Sequence, residues 1–216
     1  MDLYLIRHGH SESKEPDGKT GPHRRPDSGL SVRGRREVEE LARWLPRHIT
    51  QIDALYTSTM RRAAETAAMI AEAYKCEAIP DERLRDFGGN RANGAPFPND
   101  ALPSRGGIVT AQDPFAAVTQ GPQGESYMDL RRRVALFLRE AIQRHDKQTV
   151  IAVGHSGTID ALLATIYNVG PWVRCAVLPP LTSITHVRYQ EPTDFEPWLL
   201  LCVGRTDHLV GLDEAS

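Results

Sequence analysis

Two hydrophobic rhythms alternate along the chain. Leu3-Tyr4-Leu5-Ile6 is an unbroken apolar run, short enough for a buried strand, and it stops at Arg7-His8-Gly9. After Leu30-Ser31 the period changes. Val38, Leu41, Ala42 and Leu45 recur at helical spacing with arginines and glutamates between them, which predicts a helix to about residue 48 that covers a core on one side. Residues 52–56 read as a second strand. A helix follows, with Ser58 or Thr59 as its cap and Met60, Ala63, Ala67, Ile70 and Tyr74 on its buried face. Residues 77–80 suit a short third strand. Further on, Ser126-x-x-Asp129 is a capping box for a long helix whose apolar side is Tyr127, Leu130, Val134, Phe137, Leu138 and Ala141. Residues 149–153 are the clearest buried strand; they run into Gly154-His155-Ser156-Gly157 and a helix carrying Ile159, Leu162, Leu163 and Ile166. That helix stops near Asn168-Val169-Gly170-Pro171, and residues 183–189 and 198–203 predict a terminal hairpin.

Strands alternating with cover helices predict an α/β domain: a three-layer αβα sandwich with a mostly parallel sheet and helices on both faces. The 216 residues suit a single domain spanning 1–216. Two stretches carry no periodicity. Residues 10–29 form a polar loop with Lys14, Lys19, His23, Arg24 and Arg25, basic residues able to hold a distal anionic group. Residues 86–124 are rich in glycine and proline, and loops of that length in compact domains are often lids or binding loops. Asp113-Pro114 can start one helical turn within it.

The composition, 40% hydrophobic and 25% charged with a formal net charge of -2, is ordinary for a globular protein. It gives no reason to expect a nucleic-acid or membrane partner, so any affinity for anions has to be local. Cys76, Cys175 and Cys202 are odd in number and far apart, which suggests neither a disulfide framework nor a Cys-x-x-Cys site. Without a leader pattern or an apolar stretch near the ~20 residues of a membrane span, the expected location is the cytoplasm. Nothing here specifies the oligomeric state.

Chemistry concentrates where strands end. Arg7 can grip an anionic oxygen by paired hydrogen bonds, His8 can attack phosphorus, and Gly9 lets a ligand approach the backbone. His155 repeats that placement, and two parallel neighbouring strands would bring both imidazoles to one sheet edge. Arg61-Arg62 lies at a helix start, where unpaired N–H groups already favour an anion. His8-x-His10 alone does not define a metal site, since no further ligand cluster accompanies it.

These signals coincide in a known family. Arg7-His8-Gly9, Leu30-Ser31-x-x-Gly34, Ser58-x-x-x-Arg62-Ala63-x-x-Thr66-Ala67, Gly124-Glu125-Ser126, Val153-x-His155 and Thr206-x-His208-Leu209 arrive in the order of the histidine phosphatase superfamily, also called phosphoglycerate mutase-like, which the chain resembles over nearly its whole length. The resemblance implies that His8 is a nucleophile that becomes phosphorylated, that Arg7, Arg62 and His155 bind the phosphoryl group, and that an acidic residue protonates the leaving oxygen. It implies no metal or other cofactor. Asp86 stands where the family has the acid glutamate, one C–C bond shorter (about 1.5 Å); Glu82 and Glu125 are the alternative acids. Lys14, in place of an asparagine, and Ser156, in place of a glycine, are further substrate-binding candidates. The stretch from Asp86 to Glu125 is shorter than the corresponding insertion of the family's mutases. The expected activity is therefore metal-independent hydrolysis of a phosphomonoester through a phosphohistidine, with a small phosphorylated metabolite as substrate and a phosphoprotein as the alternative. A cofactor-dependent phosphoglycerate mutase, and a catalytically weak phosphate-binding or regulatory protein on the same fold, are the competing readings.

Overall fold

A computed structural model describes residues 1–12, 27–100, 102, 113–117, 124–172, 176–191 and 197–212. Its centre is a six-stranded sheet in the order β3-β2-β4-β1-β5-β6. The strands are β1 (Asp2–Arg7), β2 (Ala54–Thr57), β3 (Ala78–Pro80), β4 (Thr149–Gly154), β5 (Ile184–Tyr189) and β6 (Trp198–Arg205). β1 to β4 are mutually parallel, while β5 and β6 join antiparallel, the hairpin the alternating terminal segments foretold.

Four α-helices occur among the described residues: α1 (Val32–His48), α2 (Arg61–Tyr74), α3 (Tyr127–Arg144) and α4 (Ser156–Ile166). Successive strand residues point to opposite faces, so each strand feeds two cores. Leu3, Leu5, Tyr56, Val150 and Ala152 meet Leu130, Val134 and Phe137 of α3 and Ile159 and Leu162 of α4. Ile6, Leu55, Ile151 and Val153 meet Leu41 and Leu45 of α1 and Ala63, Ala67 and Ile70 of α2. This is the predicted three-layer sandwich. Its six β-strands run mostly parallel.

Element ends shift slightly from expectation. Ser31 is the cap of α1, its hydroxyl accepting from Gly34 N at 3.1 Å. The Ser126 and Asp129 capping box forms as read. The cap of α2 is different: Met60 holds that position and makes no side-chain cap bond. Within residues 86–124, Asp113 starts a turn, with Ala116 N donating to its carbonyl at 3.1 Å. No described helix is long and apolar enough to cross a membrane.

Candidate active site

Strand register builds the site. β1 and β4 pair with Arg7 opposite Gly154, so His8 and His155, the next residue on each strand, leave the sheet side by side. The ladder continues one step further, His8 N donating to Gly154 O at 3.0 Å. From this edge the chain departs to α1 on one face and to α4 on the other. A crevice at such a switch point is where open α/β sheets bind ligands. The two imidazole centroids are 4.9 Å apart with planes inclined by 56°, and both rings are buried.

The His8 ring is oriented from both sides. Nδ1 lies 2.7 Å from Gly9 O, an acceptor only, so Nδ1 carries the proton and Nε2 keeps the lone pair. Arg62 Nε donates to that lone pair at 3.1 Å. Burial, and then the Arg62 charge, lower the imidazole pKa to about 3, so the ring is neutral near pH 7. His155 Nε2 is fixed by a 2.9 Å hydrogen bond with Ser58 Oγ, which also accepts from Met60 N at 3.2 Å.

Arg62 is held between two carboxylates. Its Nη1 donates to Asp27 Oδ1 at 3.0 Å and its Nη2 to Asp86 Oδ2 at 3.2 Å. The other oxygen of Asp27 accepts from Arg61 N, so this remote aspartate does the capping work expected of Ser58 or Thr59. Thr66 ties the two halves together: its hydroxyl accepts from Gly9 N at 3.2 Å and donates to Arg62 O at 2.8 Å.

Arg7 is clamped by the segment before β5. Its Nη1 donates to Pro179 O at 2.6 Å and its backbone N to Ser183 O at 3.2 Å. Its buried Nε finds no acceptor among the described residues. A buried unpaired donor costs about 1–3 kcal/mol, which an incoming anionic oxygen would recover. Within the clamp, Thr182 sits at a φ of 57°, an unusual conformation for a β-branched residue. Its hydroxyl donates to Leu181 O at 2.7 Å and is 3.0 Å from His208 Nε2, so the late Thr206-x-His208-Leu209 motif buttresses Arg7 indirectly.

The three acid candidates separate clearly. Asp86 lies beside Arg62 with its Oδ1 accepting from Phe87 N at 3.0 Å. Glu82 is exposed at the start of a one-turn helix. Glu125 is buried, both oxygens gripped by Arg133 at 2.8 and 2.9 Å, with Gly88 N donating to Oε1 at 2.6 Å. Ser156 opens α4 directly after His155 and is half-buried. Lys14 lies outside the described residues, as do Lys19, His23, Arg24 and Arg25. His10 Nδ1 bonds Ser31 Oγ at 2.9 Å, and no cluster of potential metal ligands occurs among the described residues.

Asp27 and the Pro179–Ser183 clamp were not visible in the sequence pattern. Asp27 shows there only as a carboxylate at the end of a basic loop, and its arginine partner is 35 positions away.

Arg62 and two imidazoles meet at one buried edge, with the Arg7 guanidinium near enough to act on His8 by its charge and Asp86 alongside, a set of groups chemically able to hold a tetrahedral oxyanion. The fold is that of an α/β protein with its candidate site at the carboxyl ends of parallel strands. Residues 3–196 match the family model of the histidine phosphatase superfamily (branch 1), and the chain belongs to that superfamily. It is 31% identical over 176 residues to phosphoserine phosphatase 1 of Hydrogenobacter thermophilus, covering 78% of this chain and 77% of the relative. It is 26% identical over 224 residues to a probable phosphoglycerate mutase, GpmB, of Proteus mirabilis, covering 100% and 99%. Among solved structures, YhfR of Bacillus stearothermophilus shares the fold at a TM-score of 0.70 with 24% identity, covering 96% of this chain and 98% of that one. A mutant phosphoserine phosphatase of Entamoeba histolytica in complex with phosphoserine shares it at 0.69 with 19% identity, covering 96% and 98%.

Proposed function

We propose that this protein is a phosphatase of small phosphorylated metabolites that works through a phosphohistidine on His8. The observation that carries the reading is the state of His8: a neutral ring with Nδ1 pinned by Gly9 O and the Nε2 lone pair directed at Arg62, beside the second imidazole. Nε2 attacks phosphorus. Arg7, Arg62 and His155 hold the non-bridging oxygens and balance the charge that spreads over them in the transition state. The N–H that Arg62 aims at Nε2 is the donor that a phosphoryl oxygen accepts when the ester is bound. When the ester's oxygens take Arg62 from Asp86, the released carboxylate takes up a proton from solvent; it gives that proton to the leaving alkoxide as the P–O bond breaks, then takes one from the water that attacks the phosphohistidine. Inorganic phosphate leaves and His8 is neutral again. The arginines supply the positive charge the reaction needs, and the mechanism requires no metal.

Relatives named phosphoserine phosphatase, and solved relatives bound to phosphoserine or 3-phosphoglyceric acid, make phosphoserine and phosphoglycerates the first esters to test. A mutase is the second reading, favoured by the full-length alignment with proteins named probable phosphoglycerate mutase. The deciding assay measures phosphate release from these esters and from p-nitrophenyl phosphate in excess chelator, for wild type and for Asp86→Ala, Glu82→Ala and Glu125→Ala. The reading expects release by the wild type and, for Asp86→Ala on the alkyl esters, a loss of about 10²- to 10⁴-fold. Interconversion of phosphoglycerates without release would establish the mutase. A full rate in Asp86→Ala would remove Asp86 as the acid.

A further inference from the structure

The loop that carries Asp86 has little regular structure, yet its backbone is held at every step. Arg133 of α3 donates from Nη1 to Arg83 O at 2.6 Å and from Nη2 to Asp86 O at 3.1 Å. Thr158 of α4 reaches the two carbonyls between, with its Oγ1 at 3.2 Å from Leu84 O and 3.0 Å from Arg85 O. On the far side of Asp86, Gly88 N donates to Glu125 Oε1 at 2.6 Å. Glu125 in turn fixes the Arg133 guanidinium by a two-pronged contact at 2.8 and 2.9 Å, and both side chains are buried. The start of α4 closes the remaining space: a Cβ on Gly157 would lie 3.2 Å from Asp86 Oδ1 and 3.2 Å from Phe87 Cβ.

Two side chains from separate helices therefore capture four consecutive carbonyls ending at Asp86, and the carboxylate that steadies one of them also captures the next free N–H. A buried ion pair is costly in itself unless its remaining hydrogen-bonding groups are satisfied, and here they are satisfied by this loop. Precision matters more for aspartate than for glutamate, because its shorter side chain cannot make up for a displaced backbone; a misplacement of about 1 Å can cost roughly 10²-fold in rate.

We propose that Arg133 and Thr158 are positioning residues that set the reach of Asp86 toward the leaving oxygen, and that Glu125 serves the same end by fixing Arg133. The proposal rests on the phosphatase reading with Asp86 as acid, and it assigns Glu125 a role other than proton donor.

The test separates the leaving group from the rest of the reaction. An alkyl phosphate needs a proton on its departing oxygen; p-nitrophenyl phosphate, whose phenolate leaves unaided, does not. Thr158→Val keeps the shape and removes the hydroxyl, Arg133→Lys keeps the charge and removes the fork, and Glu125→Gln keeps the shape and removes the charge. Each is assayed with p-nitrophenyl phosphate and with phosphoserine or 3-phosphoglycerate, whichever the wild type cleaves faster, alongside Asp86→Asn. The expected result is a fall in kcat on the alkyl ester about tenfold or more beyond any fall on the aryl ester, in the same direction as Asp86→Asn, with inhibition by inorganic phosphate unchanged. Equal losses on both esters in Thr158→Val, while Asp86→Asn shows the bias, would overturn the positioning role and leave the phosphatase reading intact. Thr158→Val, the least disruptive change, decides the matter if Arg133→Lys does not fold. A wild type that cleaves neither ester removes the phosphatase reading and this proposal with it.

Discussion

At the scale of single residues, the proposed chemistry depends on keeping one imidazole neutral beside an arginine. His8 would hold a proton near pH 6 in the unfolded chain, where its pKa is about 6.5, but in the folded protein its pKa is lowered to about 3. The unfolded state therefore binds more protons across that window. The stabilisation is fully present above about pH 6.5 and is lost as the pH falls toward about 3. A variant lacking the imidazole, His8→Gln, should escape this loss. We expect the stability of wild type relative to His8→Gln, measured by denaturant unfolding, to fall between about pH 6.5 and about pH 4 with a slope of up to about 1.4 kcal/mol per pH unit. Parallel curves for the two proteins would contradict the burial of a neutral His8. The four residues proposed to hold the anion stand out in the sequence because each carries a local signal: Arg7, His8 and His155 end apolar runs, and Arg62 opens a helix. Asp27 carries none. Its role arises from contact with α2, and nothing in the periodicity of a loop reports which helix it will touch.

At the scale of elements, the loop after His8 is shaped by how closely α1 approaches it. Ser31 N donates to His10 O at 3.0 Å, and Gly34 lies against the same peptide. A Cβ at Gly34 would stand 2.0 Å from His10 O and 2.8 Å from His10 C, both rigid backbone atoms. The Leu30-Ser31-x-x-Gly34 motif thus encodes a helix start that is capped and bare enough to seat the loop following His8. Gly34→Ala should push α1 and the loop apart, costing about 1–3 kcal/mol in thermal or denaturant unfolding and weakening phosphate binding at the same time. Wild-type stability in that variant would mean the contact is looser than the geometry states. Helix existence and faces were readable from spacing, because burial of one stripe is a periodic demand. The cap of α2 differs from expectation for a physical reason: Ser58 had the right chemistry for a cap, but it supports His155, and a carboxylate brought in from the loop before α1 takes its place.

At the scale of the whole molecule, a chain of net charge -2 gathers two guanidiniums and two imidazoles at one sheet edge. The order β3-β2-β4-β1-β5-β6 makes this possible by setting the two strands that end in histidine next to one another and sending their following helices to opposite faces. Periodicity revealed the strand ends, whereas this adjacency was implied only by the family resemblance, since residues 8 and 155 meet through a pairing no local pattern specifies. The account's central claim is that the phosphoryl group passes through His8. It is tested most directly by brief reaction with a phosphomonoester carrying labelled phosphorus, quenching in alkali, and locating the label by peptide mapping. The account predicts an acid-labile, alkali-stable phosphoryl group on the peptide containing His8, chased away by unlabelled substrate and lacking in His8→Ala. Active protein that turns over without any label on His8 would contradict it.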